Sequence, residues 1–108
     1  MAFKLAQKPS YTTPVQVFTP NDKGGFDSST FKAIFKRCDM TELEALQEKE
    51  QIDVQRAVLV GFSDLLDEDD KELEFNETNV KALLAIPQAR AALAKAFWAS
   101  IFKAETKN

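Results

Sequence analysis

VQVFTPNDKGGFDSSTFKAIFKR, residues Val15–Arg37, is the stretch that decides the fold. Val15-Gln16-Val17-Phe18 is rich in side chains that suit a pleated strand. Thr19 to Asp27 holds Pro20, Asn21-Asp22 and Gly24-Gly25, which are turn residues, and the two glycines can take positive φ without steric cost. From Ser29 to Arg37 the pattern alternates: Phe31, Ala33 and Phe35 fall on one face, and Thr30, Lys32, Ile34 and Lys36 on the other. The spacing predicts a β-hairpin over residues 14–38 with a long, glycine-containing loop. A lone hairpin is marginal in water, so one face must pack on the rest of the chain or on a second copy.

Upstream, residues 1–13 are mixed and polar, with Pro9 and Pro14 as punctuation, and read as a loose lead-in. Downstream the pattern turns helical. Thr41-Glu42-Leu43-Glu44 has the form of a capping box, Thr41 to the Glu44 amide and back. Val54, Val58 and Phe62 at i, i+4 and i+8 extend helical character to about residue 62, with a break near Asp53, which can cap a new helix. Gly61 marks a point of weakness or of close backbone approach. Leu65-Leu66 and Leu73-Glu74-Phe75 read as two short extended segments joined by an acidic turn. Asn76 or Thr78 caps the next helix, which carries Val80, Leu83, Leu84 and Ile86. Pro87 suits the first turn of a last helix from about Gln88 to Lys103. The fold class expected is therefore α+β in a single domain over 1–108. An N-terminal β-hairpin precedes a mainly helical part (41–103) with a short extended pair near 65–75.

Composition limits function. At 108 residues the chain has room for one modest core. Its net charge of −3 is unevenly spread. Asp64, Asp67, Glu68, Asp69, Asp70, Glu72, Glu74 and Glu77 cluster around a single Lys71, while bases outnumber acids before residue 38 and after residue 77. An acidic chain without a basic stripe is a poor nucleic-acid partner, because phosphate neutralisation dominates that affinity. Apolar runs such as Ala82–Ile86 are far short of the roughly 20 residues a membrane helix needs, so no membrane is expected. A single cysteine, Cys38, rules out an internal disulfide and fits a reducing cytoplasm. The N-terminus lacks the apolar core of a signal peptide.

Nothing points to chemistry. Histidine is missing, and with it the commonest general base and zinc ligand. Cys38 stands beside Asp39, whose charge opposes thiolate formation. The acidic run fails as a calcium loop starting at Asp67: Lys71 takes the fifth position, Glu72 stands where glycine is required, and Thr78 fills the twelfth. No catalytic residue, metal ligand or cofactor is expected. The aromatic end of the last helix has two readings. Phe97, Trp98, Ile101 and Phe102 all belong to the core, or Trp98 and Phe102, with Ile101 beside them, line a contact surface for another protein.

The order of these features resembles the small tail assembly chaperones of long-tailed (siphovirus-type) bacteriophages. The resemblance spans about Val15 to Phe102. It rests on the hairpin with its Asn21–Gly25 loop and on Val60-Gly61-Phe62, Leu66–Asp69 and Leu73-Glu74-Phe75. It extends through Asn79–Leu84, Ile86-Pro87 and an alanine-rich last helix. Phe62 stands where a tryptophan is common, and Asp70 where a glycine often closes the acidic turn. The resemblance implies a protein of the host cell cytoplasm that coats the tape-measure protein, helps to recruit tail-tube subunits, and is absent from the finished virion. It also implies a longer frameshifted form, with Lys103–Asn108 as the junction. Self-association is compatible with it. A structural tail or head–tail connector subunit, and a small host regulatory or accessory protein, are the alternatives.

Overall fold

The computed structural model describes residues 1–102, and the alternation in Val15–Arg37 becomes a hairpin longer than the sequence predicts. Strands β1 (Ser10–Pro20) and β2 (Phe26–Lys36) pair antiparallel from Ser10↔Lys36 to Pro20↔Phe26. Ser10–Thr13 thus belong to the strand and not to a loose lead-in. Their polar composition hides the fact that Tyr11 and Thr13 continue the inward-facing row of Val15 and Val17. The loop is held by Asn21, whose Oδ1 accepts from the Lys23 and Gly25 amides at 3.0 and 2.9 Å, while Gly24 takes φ of 83°.

Backbone bonds at the two ends of the hairpin fix the phase of the ladder. Arg37 N–H donates to Pro9 O at 2.8 Å, and Asn21 N–H to Gly25 O at 2.9 Å. Odd-numbered residues of β1 therefore bond to β2. Ser10, Thr12, Pro14, Gln16, Phe18 and Pro20 turn their backbone groups to the free edge. Two of those positions are proline, which offers no N–H to an incoming strand.

The sheet has a third strand that the sequence reading places in a helix. Helix α2 (Gln51–Val58) stops at Val58, and Leu59–Ser63 forms β3, giving the order β1-β2-β3. Ile34 pairs with Gly61 and Phe35 with Leu59, leaving Val60 as a bulge. Phe62 thus leaves the Val54–Val58 stripe and is buried from the sheet instead. Gly61 lies in this strand, and what comes close to it is a side chain and not another backbone: a Cβ there would come to 3.0 Å from Ile34 Cδ1.

Helix α1 (Met40–Gln47) is capped by Asp39, not Thr41. The Asp39 side chain accepts from the Glu42 amide at 2.9 Å, and Glu42 Oε1 accepts from the Asp39 amide at 3.1 Å. Asp39 and Glu42 have capping-box spacing, and Lys36 Nζ, 2.6 Å from Glu42 Oε2, also ties that glutamate to the strand end. The break between α1 and α2 falls at Glu48–Glu50, ahead of Asp53, which sits in the first turn of α2 where the helix dipole favours an acid. The pair expected near 65–75 reduces to one bridge, Leu66↔Glu72, with Leu73 N–H donating to Leu65 O at 2.8 Å. Asn76 caps α3 (Glu77–Leu84), accepting from the Asn79 amide at 2.8 Å. Helix α4 runs Pro87–Ile101 with Pro87 in its first turn, and Lys103 lies outside the described residues.

The class is α+β, and one core draws on every element. Phe35 and Val15 share it with Phe97, Leu93 and Leu84 from α4 and α3, and with Val54 and Val58 from α2. Helix α4 packs against β1, with α2 and α3 on α4, so the helices cover one sheet face. Pro14, Gln16 and Phe18 alternate with the buried residues of β1 and stand exposed along it. One core residue breaks the apolar rule: Gln55 is 0% exposed, and neither of its amide atoms has a hydrogen-bond partner among the described residues.

Candidate partner-binding surface

Helix α4 begins without a side-chain cap on Ile86, but Pro87 presets its first turn. Arg90 then reaches back, its Nε donating to Leu84 O at 2.8 Å, and satisfies a carbonyl at the end of α3. Ala89, Leu93 and Phe97, at i, i+4 and i+8, are buried on the sheet. Tyr11 Oη lies 2.8 Å from Ser100 Oγ, which donates to Phe97 O at 2.6 Å, so the C-terminal half of α4 is fastened to β1.

An aromatic relay leads from this core to the surface. Arg37 lies 5.0 Å over the Tyr11 ring, Tyr11 is 6.1 Å from Phe35, and Phe35 meets Phe97 edge-on at 5.2 Å. Phe97 meets Trp98 at 5.0 Å, and Trp98 stacks on Phe102 at 6.2 Å with the planes 7° apart. Of the three residues singled out from the sequence, Trp98 and Phe102 are thereby brought together. Trp98 is half-buried, its Nε1 donating to Gln51 Oε1 of α2 at 3.3 Å, and Phe102 is 57% exposed. Ile101 is half-buried and packs against the core. The stack is therefore a ledge, anchored on one side by Phe97 and open on the other.

Two depressions flank α4. One, of about 380 Å³, is lined by Gln51, Ala85, Pro87, Arg90, Ala91 and Ala94. It lies on the stripe of α4 that also carries Trp98. The other, of about 480 Å³, separates α4 from Pro14, Gln16 and Phe18 of β1, with Lys95 and Ala99 on the helical side. Alanine walls let another helix approach closely. The prolines on the β1 edge disfavour an added strand. The sequence reading missed Arg90 and Gln51. Arg90 was legible as the i−8 member of the Trp98 stripe, whereas Gln51 left no signal because it comes from another helix.

Elsewhere the side chains serve the fold. Asp67 Oδ1 accepts from the Asp69 and Lys71 amides at 2.8 and 3.0 Å, so its carboxylate holds the acidic turn. Asp70 takes φ of 61°, the left-handed conformation that favours glycine. Cys38 is half-buried after β2. Burial first, then the Glu42 and Asp39 charges, push its thiol above the ordinary range, outweighing Lys36, so it is a poor nucleophile. Among the described residues no group of three acidic or thiol side chains is placed to hold a metal ion. No described helix is long and apolar enough to cross a membrane.

No family model, curated protein or solved structure matches the chain.

Proposed function

We propose that this chain is a tail assembly chaperone of a long-tailed phage, working in the host cell cytoplasm. It binds a long helical client, the tape-measure protein, through the outer stripe of α4, and releases it as tail-tube subunits are recruited. The observation that carries the reading is the Trp98–Phe102 stack, parallel and half open at the end of an alanine-walled helix. Such a ledge accepts an apolar side chain from a partner helix, and tryptophan is the residue most often found at such anchor points. The order of hairpin, acidic turn and alanine-rich last helix supports the same reading through its resemblance to the family. Binding is by packing and not by chemistry. Many weak copies along one client give a hold that is strong overall and still reversible.

The test is co-expression with a tape-measure protein from the same genome, followed by affinity capture and by proteomics of purified particles. The expected result is capture of the client and absence of the chain from finished particles. Stoichiometric presence in the particle would assign it instead to the tail or connector structure. Failure to capture the client would remove the chaperone reading.

A further inference from the structure

The outer stripe of α4 has a chemical polarity along its length. Arg90, Ala94, Trp98 and Phe102 stand at i, i+4, i+8 and i+12, spanning about 18 Å of helix, with roughly 12 Å between Arg90 and Trp98. One end is the aromatic ledge. The other is the depression of about 380 Å³ in which Arg90 is the one charged lining residue. Helix α4 carries Arg90 and Lys95 and no acid. The ion pairs of the described residues join Lys32 to Asp64, Lys36 to Glu42 and Arg56 to Glu77, and Arg90 enters none of them. One of its five N–H groups is used on Leu84 O. The guanidinium of half-buried Arg90, lining an open, alanine-walled groove, complements a carboxylate, which it can hold with two parallel hydrogen bonds.

We propose that the partner seated on this stripe is an amphipathic helix bearing a carboxylate two helical turns from the apolar side chain that packs on Trp98 and Phe102. The carboxylate pairs with Arg90, and the pairing fixes which way the partner helix runs along α4. A strand is the poorer occupant, because α4 is a helix whose backbone groups are already hydrogen-bonded within it and offers no edge to pair with. This recognition rule rests on the proposed docking role of α4 and adds to it the chemistry and direction of the partner.

Two synthetic helical peptides of about 20 residues test it. Both carry a leucine pair, and they differ only in Glu or Gln two turns away. Binding is read by fluorescence anisotropy at low salt. The Glu peptide should bind about two- to fivefold tighter, with the advantage shrinking as salt rises. Arg90→Gln should abolish the advantage and Arg90→Lys should keep only part of it, since an ammonium cannot make the two parallel hydrogen bonds, with melting curves confirming that both variants fold. Equal binding of the two peptides by the wild-type chain overturns the rule, as does an advantage that survives Arg90→Gln. If the peptides bind equally and Phe102→Ala weakens both, the carboxylate rule falls while the docking role stands. If neither peptide binds, both fall.

Discussion

Gln55 should be the most rewarding single position to change. Its side chain is 0% exposed, and its Oε1 and Nε2 have no partner among the described residues. An amide buried in this way gives up its bonds to water and recovers nothing, at a cost of about 1–3 kcal/mol. Methionine has nearly the same length and volume, so Gln55→Met replaces two orphaned polar atoms by apolar ones without opening a cavity or crowding Val54 and Val58. The gain expected is ~1–2 kcal/mol. For a domain of this size each kcal/mol moves the midpoint by about 4–8 °C, so a rise of roughly 5–15 °C is expected in calorimetry. Urea titration should give the same sign with an unchanged slope. Gln55→Glu should act in the opposite direction, since a buried unpaired carboxylate is costlier than an amide. A midpoint that falls in Gln55→Met would refute the reasoning, because it would mean that the amide is bonded in solution.

Three further outcomes follow from local geometry. Asp39→Ala removes the cap of α1 and should cost about 1 kcal/mol, read as a lower urea midpoint, with Thr41→Ala nearly neutral. Asp70→Gly relieves a left-handed φ of 61° and should leave stability unchanged or raise it by up to about 1 kcal/mol, whereas Asp70→Val should lower it. The Lys36–Glu42 pair sets a pH dependence. Its hydrogen bond and charge lower the Glu42 pKa, so its contribution is present above the ordinary glutamate range and is lost as pH falls through and below it. The same partner raises the Lys36 pKa, so that contribution is kept below the ordinary lysine range and lost as pH climbs beyond it. Both groups are exposed, so melting curves of Glu42→Gln and wild type should differ slightly at neutral pH and converge in strong acid.

The hairpin was legible because Phe31, Ala33 and Phe35 obey a period of two and the loop is written in asparagine and glycine. The start of β1 was not, since Ser10, Thr12 and Thr13 look like any polar lead-in until Tyr11 is seen to sit between Arg37 and Phe35. Strand β3 was misread because Val54, Val58 and Phe62 keep helical spacing across a boundary that only pairing with β2 reveals. The cap of α1 is Asp39 because Asp39 and Glu42 are also three residues apart, a second capping-box pattern overlapping Thr41–Glu44 that the sequence reading passed over. At the candidate surface, the two aromatic stripes of α4 were legible as periodicity. Which stripe faces the sheet was not, and Phe97 settles it by meeting Phe35 at 5.2 Å.

The central claim is that the Trp98–Phe102 ledge holds a helical client. The direct measurement is the affinity of the tape-measure protein for Phe102→Ala and Trp98→Ala, set beside their melting midpoints. Phe102 is mostly solvent-exposed, so its truncation should leave the midpoint within a few degrees while weakening client binding about tenfold or more. Trp98→Ala should weaken binding further and cost roughly 1–2 kcal/mol of stability through the lost Phe97 contact and Gln51 bond. Client affinity equal to wild type in both variants would contradict the claim.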